Sequence, residues 1–192
     1  MRVSEADLLF IPGLGGSGPD HWQIRWSRKL STGRTLELPD FERPSRLGWT
    51  QAITSAIQGC ERPVVLLAHS LGVIAAVHAI ASLGEGPDPG KPPKTPVRAA
   101  FFVAPPAPRT LLGIPAIDPA FAGVPNAPLP FPSLLVASRN DPYATMAESE
   151  GMALDWGAQI VDAGEAGHLN AESGHGPWPE GLMRFATFMA RV

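Results

Sequence analysis

The chain has 192 residues, enough for one domain with a substantial core and too few for two. A net charge of −3 leaves no basic footprint for nucleic acid or for an anionic membrane surface. The single cysteine, Cys60, excludes an intramolecular disulfide and a cysteine-built zinc cluster, which fits a reducing compartment. Glu5 and Asp7 interrupt the N-terminal stretch, and Leu8 to Ile11 is too short for a signal-peptide core. No apolar run reaches membrane-spanning length, so the expectation is a soluble cytoplasmic protein.

Asp7 to Ile11 reads as a short apolar strand. It runs into the glycine-rich stretch from Pro12 to Pro19, where backbone approaches a ligand or adopts positive φ. Three readings compete. A phosphate-cradling loop would end in Gly-Lys-Ser/Thr, and no lysine is present. Gly13 to Gly18 matches the G-x-G-x-x-G string, but no acidic residue ends the next strand in the right setting. The third reading is a loop whose N–H groups face a carbonyl oxygen under attack.

Asp20 can cap a helix from His21 to Leu30, with Trp22, Trp26 and Leu30 along one face. The two tryptophans read first as core anchors; alternatively His21 and Trp22 line a substrate pocket beside Gly13. Thr35 to Leu38 reads as a second strand, closed by Pro39, and Leu47 to Ile57 as a helix ended by Gly59. Cys60 lies away from any plausible base and is assigned no chemistry.

Val64 to Leu67 is a buried strand, followed by a sharp turn bearing Ser70 and then a helix from Leu71 to Leu83. A serine on a strand-turn-helix junction, with Ala68 and Gly72 two positions either side, has the layout of a nucleophile elbow. The turn holds the hydroxyl out, and the crowding two residues away admits only Gly or Ala. His69 cannot easily reach the Ser70 hydroxyl and reads as a packing or hydrogen-bonding residue, and His78 as a surface or boundary histidine.

Gly84 to Pro96 reads as an exposed Pro/Gly/Lys loop, and Val97 to Val103 as a fourth strand. Residues 104–132 are crowded with prolines and show no periodicity. They leave a strand at its C-terminal end, so a lid is one reading, with Leu111, Leu112, Phe121 and Phe131 as apolar walls; a surface excursion covering core is the other. Ser133 to Ser138 is a fifth strand, Ala144 to Trp156 a helix, Gln159 to Asp162 a sixth strand, and Trp178 to Arg191 a closing helix. This alternation predicts a single domain over 1–192: a compact, six-stranded, mostly parallel, doubly wound sheet with helices on both faces.

Ser70, Asp141 and His168 each follow a strand, so all three can meet at one sheet edge, in the chain order of an α/β-hydrolase fold. His168 would take the Ser70 proton, and Asp141 would hold the other ring nitrogen protonated. The N–H groups of Leu14 and Leu71 would form the oxyanion hole. Asp162, Glu165 and Asp118 are rival acids, and His175 a rival base. A non-catalytic binding module that keeps the fold is the alternative in a different class; a nicotinamide-dependent oxidoreductase rests on the glycine string alone.

The chain resembles the small serine-hydrolase family of the α/β-hydrolase fold that includes retinoblastoma-binding protein 9. The matching pieces are Ile11 to Gly18, His21-Trp22, His69-Ser70-Leu71-Gly72 with Ile74-Ala75-Ala76, Asn140-Asp141-Pro142, and Gly167-His168-Leu169-Asn170. The resemblance implies a hydrolase of small acyl esters, or in some members an aminopeptidase, with nucleophile Ser70, acid Asp141 and base His168. The serine-hydrolase reading expects no metal and no cofactor. Two departures stand out. The family's first elbow glycine is Ala68 here, and the retinoblastoma-binding Leu-x-Cys-x-Glu motif is absent around Cys60, so that partner is not carried over.

Overall fold

The structure is a computed structural model that describes residues 1–84 and 96–192. The loop expected from Gly84 to Pro96 falls on residues 85–95, outside the described residues.

Among the described residues, six strands form one sheet: β1 (Asp7–Ile11), β2 (Gly33–Thr35), β3 (Val64–His69), β4 (Val97–Val103), β5 (Ser133–Ala137) and β6 (Gln159–Asp162). Their order is β2-β1-β3-β4-β5-β6, and every neighbouring pair is parallel. The described residues also form six α-helices: α1 (Trp22–Lys29), α2 (Arg46–Gln58), α3 (Leu71–Gly84), α4 (Pro108–Leu112), α5 (Met146–Trp156) and α6 (Pro179–Met189). The strand order reverses between β1 and β3, and a crevice opens beyond the strand ends at such a switch point.

Helices cover both faces, which is why all six residues of β3 are buried and apolar up to His69. On one face Leu9, Ile11, Leu66 and Phe102 meet Trp49 and Ile53 of α2, Val73 and Ala76 of α3, and Trp156 of α5. On the other, Leu8, Phe10, Leu67 and Phe101 meet Trp22 and Trp26 of α1 and Phe185 and Phe188 of α6. Alternating residues of each strand feed the two cores, as the pleat requires.

Three expectations need correction here. The second strand is Gly33–Thr35, earlier than Thr35 to Leu38. Leu36 makes a last bond to the Phe10 carbonyl at 2.8 Å, and Leu36 and Leu38 then turn inward, so their alternation reflects burial rather than pairing. The cap of α1 is His21, not Asp20: the His21 Nδ1 accepts the Gln23 N–H at 3.2 Å. His78 is buried rather than at the surface, and its Nε2–H donates to the Phe121 carbonyl at 3.2 Å.

That bond ties α3 to the stretch 104–132, which contains α4 and a 3-10 turn, Pro119–Ala122. A second tie runs from Trp156 Nε1–H to the Pro125 carbonyl, 2.9 Å. Leu111, Phe121 and Phe131 sit in the core and Leu112 is 65% exposed, so none of the four is a cavity wall. The stretch meets the cavity through Pro106, Ile114 and Ile117 instead.

Candidate active site

The turn after β3 puts Ser70 in the left-handed region, φ 56°, a conformation L-residues adopt at a cost. Two bonds fix it there. Its N–H donates to Val103 at the end of β4, 3.0 Å, and its carbonyl accepts from Val73 in α3, 2.9 Å. The crowding around the turn has a definite partner. A Cβ on Gly72 would lie 2.4 Å from the Pro12 carbonyl oxygen and 2.5 Å from that of Ile11. A Cβ on Gly13 would lie 2.8 Å from the Ser70 Cβ. The elbow and the glycine-rich loop after β1 therefore touch backbone to backbone, which only glycine permits at these two positions.

His168 arrives from the loop after β6. Its Nε2 lies 2.9 Å from Ser70 Oγ, and its Nδ1 lies 3.0 Å from each Asp141 carboxylate oxygen. The Asp141 side chain is 3% exposed and also accepts the Tyr143 N–H at 2.9 Å. A buried carboxylate accepts Nδ1–H, which leaves Nε2 bare to accept the Ser70 proton. The Asp141 and His168 loops are cross-linked. Asn140 Oδ1 accepts from Gly167 N–H at 2.7 Å and from the Ser138 hydroxyl at 2.9 Å; Ser138 Oγ in turn accepts Ala166 N–H at 2.9 Å. The Tyr143 ring stands edge-on to the His168 imidazole, centroids 4.5 Å apart.

Three of the four rivals are occupied elsewhere, and Glu165 is exposed. The Asp162 carboxylate is bound by Arg139, 2.6 Å, and by Gly164 N–H, 2.7 Å. Asp118 caps the turn at Pro119–Ala122 and accepts the Arg46 N–H. His175 Nδ1 faces Ser173 Oγ at 3.3 Å.

A cavity of about 470 Å³ opens over Ser70. Gly13, Leu14, His21, Leu71 and His168 all border it. Trp22 does not and is corrected: its side chain is fully buried against Trp26 and Trp178, and its Nε1–H donates to the Leu169 carbonyl at 3.0 Å. Leu14 and Leu71 N–H have no protein acceptor among the described residues, and Leu71 opens α3, whose N-terminal end carries positive partial charge. Sequence reasoning missed Tyr143, Ile114 and Ile117 on the cavity wall. Tyr143 had a signal, two residues beyond Asp141 in the same turn; the two isoleucines had none.

Two further histidines stand beside His168. Burial, then the neighbouring His168, lowers the His21 imidazole from 6.5 to about 4. Burial holds His69 well below its ordinary value, with His168 and His21 adding to the effect. Both are neutral at pH 7. Among the described residues no group of three or more His, Cys, Asp or Glu is placed to hold a metal ion.

An all-parallel sheet with a serine on the turn after β3 and a histidine after β6 defines the α/β-hydrolase class. The likeness to solved structures agrees. A YdeN-like hydrolase from Pectobacterium atrosepticum is 33% identical, with 97% of this chain and 92% of that one covered and a TM-score of 0.79. The ydeN gene product of B. subtilis is 16% identical over 96% of this chain and 99% of that one, TM-score 0.71. An esterase domain from Rhodothermus marinus is 16% identical over 96% and 87%, TM-score 0.66. No curated protein matches the chain in sequence. A family model described as serine hydrolase matches residues 8–187, and the chain belongs to that serine hydrolase family.

Proposed function

We propose that the protein hydrolyses a small acyl ester through an acyl-enzyme on Ser70, with His168 as general base and acid and Asp141 as the carboxylate that orients it. The observation that carries this reading is the unbroken path from Ser70 Oγ through His168 to Asp141, with contacts of 2.9 and 3.0 Å, opening on the cavity. Ser70 Oγ attacks the acyl carbonyl while its proton passes to His168 Nε2. The carbonyl oxygen gains charge and is met by Leu14 N–H, from the loop after β1, and by Leu71 N–H at the N-terminus of α3. The tetrahedral centre collapses, the alkoxide leaves with the proton held by His168, and the Ser70 ester remains. Water then attacks that ester, giving its proton to His168, and the carboxylic acid departs as Ser70 regains its hydrogen.

Thioesters and amides fit the same path; an amide places the greatest demand on protonation of the leaving group by His168. We read Pro106, Ile114 and Ile117 as the part of the 104–132 stretch that roofs the acyl group. The test is turnover of p-nitrophenyl butyrate. The wild-type protein turns over, and Ser70→Ala falls to background with its melting temperature near wild type. Activity that survives in Ser70→Ala refutes the nucleophile, and an inactive, folded wild type favours the binding-module alternative.

A further inference from the structure

His168 can act on Ser70 only if its backbone is aimed correctly, and the loop that carries it is strained. Leu169, the next residue, sits at φ 51°, where a branched side chain has no intrinsic reason to be. Gly167, before it, lies at φ 59°. Something outside the loop must hold this path. Two ring N–H groups from other elements do so on consecutive carbonyls. Trp22 Nε1–H, from α1, donates to the Leu169 carbonyl at 3.0 Å. His69 Nε2–H, at the end of β3, donates to the carbonyl of His168 itself at 2.8 Å. A backbone carbonyl can only accept, so the His69 proton is on Nε2.

The geometry points to His69 as a positioning residue for the base: the residue preceding the nucleophile holds the backbone of His168, so that one strand end sets both partners of the proton transfer. This rests on the proposed role of His168. The bond spans 99 residues of sequence, and fixing the carbonyl fixes the peptide plane from which the His168 Cα–Cβ bond departs. His69 is itself immobilised. It pairs with Val103 of β4, is 5% exposed, and its ring lies 4.8 Å from both His21 and His168 by centroids, wedged between them. It borders the cavity yet contacts neither Ser70 Oγ nor the Asp141 carboxylate by any hydrogen bond. Its action is through His168. Its neutral state, held by burial, keeps a second cation away from the imidazolium that forms in each acyl transfer.

The test uses side chains that differ in reach. Gln places an amide N–H about where imidazole Nε2–H lies; Asn is similarly polar but too short; Leu fills the space without a donor. Turnover of p-nitrophenyl butyrate is measured for His69→Gln, His69→Asn and His69→Leu, with thermal melts alongside, and with His168→Ala as reference. The expected result is a kcat loss of about 10²-fold for Asn and Leu, as a misplaced reacting group gives. KM should stay within about twofold and Gln should recover kcat to within about fivefold, the split expected when only transition-state alignment suffers. If Leu does not fold, the Gln and Asn pair decides the matter. Equal kcat for Gln and Asn, or wild-type kcat in a folded Leu variant, overturns the role of His69 while an inactive His168→Ala leaves the base in place. An active His168→Ala overturns both.

Discussion

Ser70 and His168 reach the same 2.9 Å contact by opposite means. The elbow around Ser70 is built by close steric contact: a strand end and a helix start, with Gly72 pressed on the backbone of Ile11 and Pro12 and Gly13 pressed on Ser70. The His168 loop is built from afar, by Asn140 and Ser138 on one side and His69 and Trp22 on the other. Close packing therefore dictates one half of the site and long-range hydrogen bonds the other. The two halves should fail differently, the elbow by losing stability and the base loop by losing rate.

The largest effect is expected on the base side. Asp141→Asn preserves shape but offers an N–H where Nδ1–H needs an acceptor, so His168 takes the wrong tautomer. By the behaviour of such triads kcat falls by about 10⁴-fold, with little change in melting temperature. Steady-state kinetics checks it, with Asp162→Asn as the contrast. Asp162 is bound to Arg139, and its substitution leaves kcat within about threefold, the scale of an exposed ion pair.

On the elbow side, Gly72→Ala puts a methyl group 2.4 Å from a backbone oxygen that cannot swing away. Overpacking of this kind costs on the order of 3 kcal/mol. Denaturant unfolding should therefore show a lower midpoint at unchanged slope, and ester turnover drops because the loop after β1 is displaced.

A smaller effect separates the supporting histidines from both halves. His21 binds a proton at 6.5 when unfolded and at about 4 when folded, so between those values unfolding takes up a proton. Stability is complete above pH 6.5 and is lost as pH falls toward 4, at up to about 1.4 kcal/mol per pH unit. His69 shifts the same way, and His168 is the titratable group facing both. From His21 alone, unfolding free energy should be lower at pH 5 than at pH 7.5 by about 2 kcal/mol, and His69 adds to the difference. His21→Asn, which keeps an N-cap acceptor, should remove the His21 share. Depressed carboxylates such as Glu148, at about 2, act below this window. Equal stability at the two pH values contradicts the buried-neutral assignment.

The same contrast explains what was legible in the sequence. The fold was, because buried strands between helices leave an unambiguous rhythm, and β1, β4 and β6 begin and end where expected. Ser70 was legible because its elbow is a local motif. The chain order of Asp141 and His168 was legible, but the ties that align them were not, since Asn140 to Gly167 and His69 to His168 join residues far apart in sequence. The glycine-rich stretch left several chemistries open until the contact of Gly13 with Ser70 showed what it is pressed against. Trp22 drew attention beside a real cavity residue, His21, yet helical geometry turns adjacent residues to different sides. The walls given by 104–132 could not be sorted, because a stretch without periodicity does not reveal which apolar residues face inward.

The central claim is that Ser70 is a nucleophile activated by His168. The most direct measurement is labelling by a fluorophosphonate probe with peptide mapping, on wild type and His168→Ala. The account predicts a single label on Ser70 in the wild type and a rate reduced by orders of magnitude in the folded variant. A folded wild type that takes no label on Ser70, or a label that forms as fast without His168, would contradict it.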